Sequence, residues 1–126
     1  MAVKFNVVSR GNPSNPTAPK KFYPSLASTG RISTRQLARR IAEISSLSSA
    51  DTVAVIEVLL SIIPQELAQG NIVELGDFGT FWLRATSEGA ETADAVRATQ
   101  FKTVLPRFNP GKEFKKVLDD IEFHKA

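Results

Sequence analysis

The stretch TVAVIEVLLSII, residues 52–63, constrains the fold more than any other part of the chain. Val53, Val55, Ile56, Val58, Leu59, Leu60, Ile62 and Ile63, with Leu67 beyond them, cover more than the roughly 100° stripe that a surface helix buries. Ser48 followed by Asp51 reads as a helix start and Gly70 as its stop, so one helix is expected over about residues 50–69. Glu57, Ser61 and Gln65 form its only polar strip, at i,i+4 spacing. The apolar run is too short and too interrupted to supply the roughly 20 residues that cross a bilayer. It therefore needs protein on several sides, which a chain of 126 residues does not readily supply. At about 25 cal/mol per Å², leaving three or four such side chains wet forfeits several kcal/mol, comparable with a small domain's net stability. A homodimer is the expected solution. Pro64 either bends this helix or breaks it in two.

The remaining elements follow from periodicity. Val3, Phe5 and Val7 alternate with polar residues as in a half-buried strand, and GNPSNPTAP then forbids regular structure. KKFYP at residues 20–24 reads as a returning strand, giving an N-terminal hairpin; a flexible basic arm is the alternative. Ser33 and Gln36 have capping-box spacing, and Leu37, Ile41 and Ile44 form the apolar stripe of a first helix. IVEL and TFWLRA, joined by Gly76-Asp77-Phe78-Gly79, read as two strands of a hairpin. Residues 86–99 are polar and acidic, with room for a helical turn around 92–97. Residues 100–108 restore strand composition, with Pro106 favouring an edge or a bulge. A last helix is expected with Asn109 as cap and Pro110 in its first position, carrying Phe114, Val117, Leu118 and Ile121 at helical spacing.

Chemistry is narrowly bounded. With no cysteine and a single histidine, His124, two residues from an end expected to fray, no metal centre, thiol chemistry or catalytic constellation is expected. Asp119 and Asp120 are adjacent and do not face each other on a helix, which fits solvation better than acid–base work. No enzyme activity, cofactor or membrane partner is expected. Residues 1–10 lack the apolar core of a secretory signal, which fits a cytoplasmic protein. The net charge of +3 conceals an uneven distribution. Residues 1–30 carry Lys4, Arg10, Lys20 and Lys21 without an acid, residues 71–100 have an acidic excess, and residues 101–126 are basic again. Arg35, Arg39 and Arg40 crowd the first helix.

The run VELGDFGTF at residues 73–81, followed by PRFNPGK at residues 106–112 and an amphipathic segment, closely resembles the bacterial histone-like HU/IHF family. The resemblance covers about residues 31–121. The added N-terminal segment is similar to that of the HU-like subgroup common in Bacteroidetes. The resemblance implies an α+β fold: two helices form an intertwined dimer body under a small antiparallel β-sheet, with a short C-terminal helix and here an extra N-terminal β-hairpin. Residues 1–30 would be the basic extension and residues 31–126 the DNA-binding domain. Phe78, Phe81 and Phe108 match the family's aromatic core positions, and Gly79 its turn glycine.

By the same resemblance the partner is double-stranded DNA, bound with little sequence preference by a nucleoid-associated protein. Arg84, Lys112 and Lys115 match phosphate-facing positions, and Lys116 is their neighbour. Arg97, Lys102 and Arg107 are further candidates on the strands and arm, as are Lys4, Arg10, Lys20 and Lys21 in the extension. Two departures stand out. The family's arm-tip proline is missing between Leu83 and Phe101, where Glu88, Glu91 and Asp94 stand instead, and Asn109 occupies a position that is frequently basic. The rival reading is a dimeric structural or protein-interaction module that kept the fold and lost most DNA affinity. The extension would either add phosphate contacts or support the body as a hairpin.

Overall fold

Eleven short segments of regular structure realise this pattern, and the computed structural model describes all residues 1–126. The strands are β1 (Ala2–Arg10), β2 (Lys21–Ala27), β3 (Val73–Glu74), β4 (Gly79–Ser87), β5 (Phe101–Pro110) and β6 (Glu122–Lys125). The helices are α1 (Thr34–Glu43), α2 (Ser49–Ala68) and α3 (Lys112–Leu118). Two 3₁₀ turns, Ala93–Ala95 and Ala98–Gln100, lie between β4 and β5. The chain divides into one unit of Met1–Ser33 with Val117–Ala126 and another of Thr34–Lys116. No helix is long and apolar enough to cross a membrane.

In the larger unit α2 begins and ends where its local chemistry directs. The Ser48 hydroxyl accepts from the Asp51 N–H at 3.1 Å, satisfying one of the free donors of the first turn. At the other end the Gly70 N–H donates to Leu67 and the Asn71 N–H to Glu66, which together close off two carbonyls of the last turn. Pro64 lies inside one continuous helix, so it does not split the segment. Its lost donor is tolerated near the C-terminal end, where the flanking turns hold the backbone in place.

The helix packs on one side only. Ala38 of α1 and Leu67 of α2 are the only buried apolar residues in the chain, while Val55, Val58, Leu60 and Ile62 of α2 remain exposed. The expected stripe of α1 is open as well, with Leu37 and Ile41 only partly covered and Ile44 82% exposed. The chain presents 10669 Å² to solvent, against about 6,600 Å² for a compact monomer of this mass by area–mass scaling. Too little of the chain's own material surrounds α2, as its apolar girth requires.

Strands β3, β4 and β5 form an antiparallel sheet in that order. Phe81, Leu83, Val104 and Pro106 line one face and, with Leu60, Ile63, Pro64 and Leu67 of α2, enclose an open apolar cavity of about 680 Å³. At the base of the hairpin Phe108 stands 5.4 Å from Phe78, 4.9 Å from Phe81 and 5.6 Å from Phe114, ring centre to ring centre. Tilted and edge-on rings at these separations stabilise beyond the area they bury. Two glycines permit this closeness. A Cβ on Gly79 would lie 2.7 Å from the Asn109 carbonyl oxygen, and one on Gly111 2.6 Å from the Asp77 carbonyl carbon.

Several expectations near the C-terminus are corrected. Asn109 and Pro110 do not open a helix; they continue β5 opposite Thr80 and Gly79. The ladder prevails over the local cap signal because the Gly111 N–H then donates to the Phe78 carbonyl at 2.8 Å, tying β5 to the turn. Consequently α3 is short, ends at Leu118 and does not reach Ile121. Pro106, opposite Leu83, does lie on the sheet's edge strand as expected, without a bulge; the irregularity falls between Thr86 and Ser87, where Lys102 has no ladder partner.

The terminal unit is a three-stranded sheet ordered β2-β1-β6, with β1 antiparallel to β2 and parallel to β6. The N-terminal segment is thus a hairpin rather than a loose arm. His124 does not fray: it pairs in register with Lys4, and the Glu122 N–H donates to the Met1 carbonyl at 2.8 Å.

Candidate nucleic-acid interface

The register of β4 and β5 sorts the sheet's side chains. Residues paired across an antiparallel ladder share a face, and successive residues alternate. Phe81, Leu83, Pro106 and Phe108 therefore point one way, toward the cavity shared with α2. Trp82 opposite Arg107, and Arg84 opposite Leu105, point the other way. Arg84 and Arg107 are thus diagonal neighbours on one face, both exposed. Thr86 and Thr103 extend this face, joined through their hydroxyls at 2.5 Å. Neither arginine has a carboxylate within salt-bridge distance; the carboxylates found beside basic side chains are Glu88, at Lys102, and Glu122, at His124.

Lys112, Lys115 and Lys116 are exposed on α3. This helix is anchored through Phe114, 5.3 Å from Phe78, and through the Glu113 N–H, which donates to the Asp77 carbonyl. Local packing fixes the backbone while the ammonium groups stay in water, the arrangement expected of cations available to an external anion.

The connection between β4 and β5 behaves differently. Lys102 Nζ lies 3.1 Å from Glu88 Oε1. Arg97 Nη1 donates to the carbonyls of Asp94 and Val96, and the Arg97 N–H to the Gln100 side chain. The Gln100 amide in turn donates to the Glu88 carbonyl at 3.2 Å. Two of the candidate cations are thereby engaged within the arm itself. The Lys102–Glu88 pairing is non-local, which composition and spacing alone do not reveal, whereas Arg97 bonds to neighbours within three residues.

A family model described as an HU domain fused to a wHTH, Ig, or glycine-rich motif matches residues 1–125. The chain belongs to this HU-HIG family. Among curated proteins, the HU-HIG chain is 29% identical over 96 residues to the DNA-binding protein HU of Thermus thermophilus, covering 71% of this chain and 95% of that one. It is 32% identical over 82 residues to DNA-binding protein HU-1 of Halalkalibacterium halodurans, covering 64% of this chain and 91% of that one. A solved protein of Bacteroides vulgatus ATCC 8482 superposes with a TM-score of 0.66 at 14% identity, covering 99% of this chain. The chain spans about half of that protein, 48% of its length. The HU of an Anabaena HU–DNA cocrystal gives a TM-score of 0.56 at 22% identity over 71% of this chain and 99% of that one. The α+β architecture read from the sequence is therefore that of the family.

Within the HU-HIG chain, the predicted cations separate into four groups, one being Arg97 and Lys102, engaged within the arm. Arg84 and Arg107 share a sheet face, Lys112, Lys115 and Lys116 share α3, and Lys4, Arg10, Lys20 and Lys21 belong to the terminal unit. In the sheet-face group Arg84 is expected from the family resemblance of the strand that carries it. The pairing of Arg107 with Trp82 follows only from the register.

Proposed function

We propose that this chain is a sequence-tolerant double-stranded-DNA-binding protein of the nucleoid, architectural rather than catalytic, working as a homodimer. The observation that carries this reading is the outer face of the β3-β4-β5 sheet. Arg84 and Arg107 stand there without acidic partners, on the side opposite the apolar face that meets α2. Guanidinium groups displayed this way suit phosphate oxygens, and backbone contacts of that kind position a duplex without reading its sequence. Lys112, Lys115 and Lys116 supply further cations of the same unit. Residues 34–116 would carry this activity, with the terminal unit as an accessory.

Dimerisation follows from the open faces of α1 and α2. Obligate dimers bury 2,000 Å² or more and resemble a domain core cut in half, and the apolar residues left exposed here have that character. Sedimentation is expected to give about twice 13.7 kDa. A 13.7 kDa species persisting at high concentration would count against it.

Fluorescence anisotropy with two unrelated duplexes at low and moderate salt tests the DNA reading. Similar affinities for both, falling steeply as salt rises, are expected. Absence of binding even at low salt and micromolar dimer would favour a structural or protein-interaction module. The observation on that side is the acidic arm, in which Lys102 and Arg97 are occupied internally.

A further inference from the structure

The terminal sheet sorts its residues as cleanly as the other one. Arg10 pairs with Lys21, Val8 with Tyr23, Asn6 with Ser25 and Lys4 with Ala27. Lys4, Arg10 and Lys21 of the two strands consequently share a face with Tyr23, while Phe5, Val7, Phe22, Pro24 and Leu26 share the opposite one. Lys20 immediately precedes β2. Arg10 and Lys21, the last rungs before the hairpin loop, are like charges directly opposite each other, a placement that destabilises a ladder unless an anion lies between them. None is supplied locally. Residues 1–30 contain no acid, and the carboxylate of Glu122 stands beside His124, at the far end of β1.

The loop holds these cations around a preformed recess. Arg10, Asn12, Pro13, Pro19, Lys21 and Tyr23 border an open cavity of about 320 Å³. Its rim is braced by the Asn15 and Ala18 N–H groups, which donate to the Asn12 and Asn15 carbonyls at 3.1 Å, and by the Ser14 N–H, which donates to the Asn12 side chain at 2.9 Å. Little ordering is left to be lost when a ligand enters. The Arg10 guanidinium lies 5.9 Å from the centre of the Tyr23 ring, within reach of cation–π attraction. Arg10 and Lys21 thus offer charge and hydrogen-bond donors at the recess for a phosphodiester, and the duplex of the reading above is the polyanion that supplies one.

We infer that the tip of the β1–β2 hairpin is a second phosphate-backbone site for duplex DNA, formed by Arg10 and Lys21. This rests on the DNA-binding reading above. It assigns the extension a gripping role of its own, in a chain whose arm between β4 and β5 is acidic and engaged with itself.

The test compares the intact chain with its R10Q/K21Q variant on a mixed-sequence duplex, a single strand and an RNA hairpin, across a salt series. Circular dichroism checks that the exposed substitutions leave the fold intact, and R10K/K21R retains charge as a control. The double variant is expected to bind duplex DNA several-fold more weakly at low salt. Its slope of log affinity against log salt should be shallower by about two, while the charge-retaining variant keeps the native slope. Unchanged duplex affinity and slope, in a chain whose native form binds duplex, would overturn the hairpin site alone. So would a loss confined to the single strand or the RNA. Failure of the native chain to bind duplex at any salt would instead overturn the DNA reading, and the hairpin site with it.

Discussion

The two three-stranded sheets share an alternating sequence pattern but differ in what lies against the apolar side. In β3-β4-β5 that face meets α2, and its base is tied by the rings of Phe78, Phe81, Phe108 and Phe114. In β2-β1-β6 the corresponding side chains Val7, Leu26 and Phe123 are largely open, and Phe22 is 72% exposed. Alternation specifies which residues share a face, whereas burial depends on which neighbour the chain supplies. Energy of packing is therefore concentrated in the first sheet, while the second depends chiefly on its ladder.

The largest effect expected from this contrast comes from paired phenylalanine substitutions. Phe108→Ala should destabilise the protein by about 3 kcal/mol, because it removes the ring at the centre of the cluster. Phe22→Ala should stay within about 0.5 kcal/mol, since its side chain is mostly in water already. Thermal or denaturant unfolding checks both, and equal losses would show that a partner surface covers the terminal sheet. A smaller effect is expected at the glycines. Gly111→Ala should cost about 1–3 kcal/mol by driving Asp77 away, whereas Gly11→Ala in the hairpin loop meets nothing within 4 Å and should be near neutral. Matching losses at the two positions would contradict the close approach under the turn.

The smallest effect concerns charge. Replacing Glu88 and Glu91 by glutamine removes arm acids and releases Lys102 from its exposed ion pair. Exposed pairs contribute little to stability, so the melting temperature should hardly move. Duplex affinity should rise a few-fold at low salt, with the gain disappearing as screening increases. A large stability loss would show that the arm is a structural element rather than a local electrostatic screen.

Much of this was legible in the sequence where the cause is local. Ser48 and Gly70 mark α2, the girth of residues 53–63 demands more protein than one chain supplies, and the GDFG turn announces the β3–β4 hairpin. What stayed hidden depends on distant partners. EFHK becomes β6 only because Ala2–Phe5 offer it an edge, from the other end of the chain. Asn109 and Pro110 have the composition of a helix start, yet the ladder opposite Thr80 and Gly79 decides their conformation. Candidate site residues divide along the same line. Arg84 and the α3 lysines could be placed from motif and periodicity. The engagement of Lys102 by Glu88 within the arm, and the meeting of Arg10 with Lys21, required three-dimensional register.

The most direct test of the central claim is duplex affinity of the native chain against its R84Q/R107Q variant, measured by anisotropy at low salt on two unrelated sequences. With both cations on the outer sheet face, the variant is predicted to lose roughly tenfold or more on both sequences alike, with a shallower salt slope. Undiminished affinity, or a loss on one sequence only, would contradict a sheet face that grips the phosphate backbone.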